Sequence, residues 1–153
     1  MSNFDPASFL DATITEASTK RNPIPAGADV VAIIGEPKPR PWQGKADPTK
    51  SGIAMDIPME IDLSAYPEIA AIVGVPKVFL TDSIMLDLKE NGGIDLAPGK
   101  NGKLRRYREA LGMNEAGQAF SFRAMQGRMI KVKIKHEPYE GELYDKVDSV
   151  AKA

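Results

Sequence analysis

Residues Gly52 to Leu63 read GIAMDIPMEIDL. Ile53, Met55, Ile57, Met59, Ile61 and Leu63 fall on one parity; Ala54, Asp56, Pro58, Glu60 and Asp62 fall on the other. A strict period of two over that length marks a half-buried β-strand, because successive side chains point to opposite faces. Pro58 lies on the outward parity and has no N–H to give a ladder, which predicts an edge or a bulge there.

The same reading extends in both directions. Upstream, Val30–Ile34 (VVAII) is a short β-type run. It leads into GEPKPRPWQGK, where Pro37, Pro39 and Pro41 alternate and predict an extended edge or a loop. Gln43–Ser51 is a polar connection. Downstream, Ser64–Pro76 predicts a loop with one helical turn, and Lys77–Leu88 (KVFLTDSIMLDL) a further strand. Asn91-Gly92-Gly93 marks a turn. Lys103–Leu111 predicts a helix with Leu104, Tyr107 and Leu111 on one stripe, stopped by Gly112. Met129–Lys135 alternates again, with Ile130, Val132 and Ile134 inward and three lysines outward. Pro138–Gly141 (PYEG) turns the chain into a last strand over Leu143–Val150. At the start, Asp5-Pro6 signals a short helix, with Asp as the cap and Pro in the first turn.

The expected architecture is therefore mainly β with one or two short helices. Three strands, a helix and a two-stranded hairpin are the element order of an OB-fold, a five-stranded antiparallel barrel with its helix between strands 3 and 4. A small two-sheet sandwich is the alternative. Residues 1–26 are expected to form a partly ordered N-terminal arm, and residues 27–153 a single OB-like domain.

Composition bounds the function. A chain of 153 residues at 42% hydrophobic and 27% charged is globular. Cysteine is absent, so disulfides and thiolate chemistry are excluded. With His136 as the single histidine, a zinc site of the usual kinds is not expected. No cofactor is expected either. No apolar run reaches membrane-spanning length, and the N-terminus lacks the pattern of a secretion signal, so an intracellular protein without a membrane partner is expected.

Charge is unevenly placed. The formal net charge is −1, yet residues 1–99 carry eight basic and fourteen acidic side chains while residues 100–153 carry twelve and seven. Lys100–His136 alone holds ten basic residues against two acids. Clustered positive charge on a near-neutral chain points to an anionic ligand; the plainer explanation is a solvated face. Single-stranded nucleic acid is bound where such charge meets aromatic side chains on which bases stack. In an OB-fold the usual surface is the face of strands 2 and 3 with the loops joining strands 1–2 and 4–5. Trp42 with Arg40, Lys45 and Lys50 falls at the first loop. Tyr139 with Lys131, Lys133, Lys135 and His136 falls at the second. Lys100, Lys103, Arg105 and Arg106 belong to the helix, whose Tyr107 is expected in the core. Phe120 and Phe122 are expected to plug the barrel bottom. The acidic parity of Gly52–Leu63 argues against phosphates using that whole face. Asp56, Glu60 and Asp62 could instead hold a divalent cation for phosphodiester cleavage, although alternating acids on a strand are more often its wet face.

GKNGKLRRYREALGMN and GRMIKVKIKHEPYEGELYDKVDSV, together about the last third of the chain, resemble bacteriophage single-stranded DNA-binding proteins of the OB-fold type. The shared pattern is an REALG-like helix, a strand of alternating lysines and β-branched residues, a turn and a short final strand. An FDP–FL arm at the N-terminus is also similar. The resemblance implies a non-enzymatic protein that coats and protects single-stranded DNA during phage replication or recombination, in the cytoplasm of an infected bacterium. It is compatible with a homo-oligomer and names no protein partner. The chain departs from the pattern at its end: DKVDSVAKA is not the long acidic tail with which many single-strand binders recruit partners. Two other readings stand beside it: a small phage structural or assembly protein, and a metal-dependent nuclease.

Overall fold

The computed structural model describes residues 4–153; the first three residues of the expected arm lie outside this range. The elements run α1 (Pro6–Asp11), β1 (Asp29–Ile34), β2 (Lys38–Gln43), β3 (Ser51–Asp62), a 3-10 turn over Leu63–Ala65, and α2 (Pro67–Val73). Then follow β4 (Lys77–Met85), α3 (Gly102–Ala110), a second 3-10 turn over Phe122–Met125, β5 (Met129–Tyr139) and β6 (Glu142–Ala151). All strand pairs are antiparallel, in the order β2-β3-β1-β5-β6, with β4 on the remaining edge of β3. The chain is mainly β, as its alternation predicts.

Two features of the expected five-stranded barrel are corrected. There are six strands, because the proline-rich stretch pairs with β3 as β2 and is not a loop. Pro39 and Pro41 have no N–H, so Lys38, Arg40, Trp42 and Gln43 hold the donors of that strand. The sheet is also open. β4 and β6 approach one another at its two ends, but no ladder joins them.

The bulge implied by Pro58 is present. Ile34 pairs with Met59 and Lys38 with Asp56, so β1 and β2 contain one residue more than the part of β3 they span. The two strands follow one another along the same edge of β3, separated by a β-bulge at Gly35–Pro37. Pro58 faces this gap, and its carbonyl accepts from Gly35 N–H at 2.8 Å. A Cβ on Gly35 would meet the Pro58 ring at 3.2 Å, so the close approach favours glycine.

The apolar parity of β3 faces the core, where Ile57, Ile61 and Leu63 are fully buried. Each such side chain contributes about 1.5–3 kcal/mol relative to exposure. Ile130, Val132 and Ile134 of β5 join them, with Lys131, Lys133 and Lys135 outward as the alternation predicts. Leu104 and Tyr107 fasten α3 to this core. α3 also packs on β6, and its Tyr107 hydroxyl donates to Asp82 of β4 at 2.6 Å, so the helix spans the open seam. Met125 is a fully buried member of the core. Phe120 and Phe122, expected as the plug, are half-buried beside it with ring centroids 5.5 Å apart.

The arm begins as expected. Asp5 accepts from Ala7 N–H at 3.1 Å and starts α1 with Pro6 in its first turn. No residue of α1 is buried. The chain joins the body near Arg21. The Arg21 guanidinium forks onto both oxygens of Asp145, at 2.7 and 2.9 Å, and Ile24 N–H donates to the same carboxylate. Ile24 itself is fully buried.

Candidate nucleic-acid interface

The thirteen residues singled out in the sequence fall into three places, and one of them faces inward. The first place is the outward side of the β5–β6 hairpin. Lys131, Lys133, Lys135 and Tyr139 share a parity on β5 and form a row along it. Tyr139 is opposite Glu142, Glu137 opposite Tyr144 and Lys135 opposite Lys146, so β6 adds Tyr144 and Lys146 to the same face. The two tyrosine rings meet edge-on at 6.3 Å and, with Glu137 and Lys146, line an open cleft of about 400 Å³. Tyr139 is 63% exposed, far more than a tyrosine covering its own hairpin would need to be. Lys20 lies 5.9 Å over the Tyr144 ring and pairs with Glu142. The lysine's hydrogen bond holds the Glu142 carboxyl below its usual range. Lys133 is 3.9 Å from Asp29; Lys131, Lys135 and Lys146 have no ion-pair partner among the described residues.

The second place is the outward face of β2, β3 and β4. Arg40 and Trp42 lie on β2, with Lys45 and Lys50 exposed in the hairpin loop that follows. Trp42 is registered against Gly52 and lies on it: a Cβ at Gly52 would come within 2.8 Å of the indole nitrogen. That indole N–H is buried without an acceptor. The acids of this face are largely occupied. Arg40 grips Asp56 at 2.9 and 3.2 Å, and Ser83 Oγ donates to it at 2.6 Å. The Arg40 hydrogen bond, then that of Ser83, holds the Asp56 carboxyl below the usual carboxylate range. Glu60 pairs with Lys77 at 3.1 Å, and Asp62 caps the following turn through Ser64 N–H. Among the described residues no three His, Cys, Asp or Glu side chains gather into a metal-binding group.

The third place is α3 and the turn before it. Lys100 and Arg106 are exposed, Arg105 pairs with Glu109 at 3.5 Å, and Lys103 is bound to Asp82 at 2.8 Å. Lys103 thus helps to fasten the helix to β4. His136 faces the arm, where its Nε2 donates to the Ile24 carbonyl at 2.7 Å.

The hairpins are not neighbours along the sheet. Asp29 pairs with Lys133, so the β5–β6 tip projects past the start of β1; Gln43 pairs with Ser51, so the β2–β3 loop lies past the end of β2. Between them lies sheet face carrying Phe79, which is 71% exposed, and the exposed Ile33 and Met129. Tyr144, Lys146 and Phe79 were not singled out in the sequence. Counting back from the PYEG turn places Tyr144 and Lys146 beside Tyr139, and Phe79 lies opposite in parity to Val78, Leu80 and Ile84. The signal was present in the alternation.

Comparison with family models, curated proteins and solved structures finds no match for the chain.

Proposed function

We propose that the chain is a binding module, not an enzyme, and that it holds single-stranded DNA with little sequence preference. The observation that carries this reading is the outward face of β5–β6. Three lysines in a row lead to an exposed tyrosine pair with a fourth lysine beside it. Flexible cations for phosphates next to ring faces for bases are the two ingredients of sequence-tolerant single-strand binding. The face of Trp42 and Phe79 supplies a second contact, and its acids obstruct less than the sequence suggests because Arg40 and Lys77 neutralise two of them. In this reading the sheet is an OB-like barrel left unzipped between β4 and β6. The chain then serves phage DNA replication or recombination in the host cytoplasm, as its resemblance to phage single-strand binders implies.

The test is a fluorescence anisotropy titration with labelled oligo-dT at two salt concentrations. Affinity falls steeply with salt, since bound phosphates release counterions. Replacing Lys131, Lys133 and Lys135 together by Ala reduces the slope of log K against log salt by about 2. Tyr139→Ala weakens binding by about 1–3 kcal/mol. Absence of binding at low salt ends this reading.

A further inference from the structure

The arm presents an unusually apolar surface. Phe4, Phe9, Leu10 and Ile14 are between 70% and 86% exposed. Phe4 and Phe9 touch at 5.2 Å, and no residue of α1 is buried. Four large apolar side chains within eleven residues exceed the scattered exposure that a surface normally carries. The same segment is acidic: residues 4–19 hold Asp5, Asp11 and Glu16 and no basic residue.

The body of the chain offers a surface of matching chemistry. Val31, Ile33, Tyr66 and Met129 line a largely apolar groove of about 470 Å³ on the outward side of β1. Its rim carries Lys77, tied to Glu60, and Asp62, whose carboxylate accepts from Ser64 N–H. Lys131 lies beside it, opposite Val31, and continues into the row of Lys133 and Lys135. Ile33 and Met129 are 43% and 57% exposed. The β3 side of the groove carries Glu60, Asp62 and Lys77, so an acidic apolar segment fits with its side chains on the floor and its acids turned to the β5 side, where Lys131 stands opposite Val31.

We infer that the N-terminal arm of one copy docks into the β1 groove of a second copy, its aromatic and aliphatic side chains on Val31, Ile33 and Met129 and its acids towards the lysine row. A second copy is favoured over the chain's own arm by the way the arm leaves. Followed back from Asn22, which is held on the Ile72 and Val73 carbonyls, the chain passes to Arg21 on Asp145 and Lys20 on Glu142. That path runs from α2 to the tip of the β5–β6 hairpin, away from the groove. Two copies can exchange arms reciprocally into a closed dimer, or pass them head to tail into rings or rows. This inference does not depend on nucleic-acid binding.

Sedimentation velocity of the full chain across a concentration series tests it. The wild-type chain forms species larger than a monomer. The arm variant Phe9→Glu with Leu10→Glu, and separately the groove variant Met129→Glu, weaken association roughly tenfold or more. All three positions are exposed, so circular dichroism of both variants matches wild type. Mixing the two restores a one-to-one dimer, because the arm variant still has its groove and the groove variant its arm. A monomeric wild-type chain overturns the inference, including one whose arm is protected against protease by its own groove. So does an oligomer indifferent to both variants, or a mixture that stays monomeric.

Discussion

Tyr107 shows how one hydroxyl can hold a helix in register. Its ring is buried in the core, and its O–H reaches Asp82 across the seam between α3 and β4. Burial first, and the Asp82 charge second, push the phenol well above its ordinary value, so it remains a donor at any working pH. Asp82 also accepts from Lys103 and from Ser83 N–H. Tyr107→Phe keeps the packing and removes one charge-assisted bond, a loss of about 1.5–3 kcal/mol. Urea unfolding detects it as a lower midpoint with an unchanged slope. Asp145 is the matching residue for the arm. Burial alone would raise its carboxyl, but the Arg21 guanidinium and the Ile24 N–H outweigh that and hold it below the usual carboxylate range. A folded-state value below the unfolded one contributes stability above about pH 4, and that contribution is lost as pH falls through the depressed value. Acidification therefore releases the arm, and Asp145→Asn releases it at neutral pH. Faster tryptic cleavage after Arg21, with the body still folded, is the expected readout.

At the scale of elements, the β5–β6 hairpin has the least favourable turn chemistry. Glu140 and Gly141 are its two central residues, with φ of 49° and 80°. Both angles are positive, as in a type I′ turn, where Asn-Gly is preferred and a Glu is strained. Glu140→Asn is expected to stabilise the fold by about 0.5–1 kcal/mol, measurable as a higher unfolding midpoint with the hairpin face intact. The elements also show what alternation can convey. β3, β5 and the inward parity of β4 were legible because each keeps a strict period of two. β2 was not, because alternate prolines read equally as loop or edge; what decides is that β3 continues past β1 and leaves Ser51–Asp56 in need of a partner. α2 was underestimated as one turn of helix, since PEIAAIV is short and its apolar residues show no clear stripe.

Across the whole molecule, the opposite charge of the two sequence halves does not become two opposite faces. β1 from the acidic half lies beside β5 from the basic half, so Asp29 meets Lys133 and the lysine row passes an apolar strip. The ten basic residues of Lys100–His136 are divided in the same way. Those on α3 lie across the β4–β6 seam, where Lys103 is tied to Asp82, whereas those on β5 remain outward. Sequence could find the charge and the aromatic residues but not their grouping, because grouping depends on which strands neighbour each other. That is why Lys103 and His136, read from the sequence as part of the basic surface, have partners within the fold.

Trp42 is the chain's sole tryptophan. It lies on Gly52 near the loop that joins β2 to β3, its N–H shielded from water and from any acceptor. The protein therefore carries its own optical probe at one end of the sheet. Emission from this indole reports the state of a single hairpin: a base settling on the ring quenches it, and fraying of the hairpin shifts it to the red. No label need be attached to follow that part of the molecule in solution.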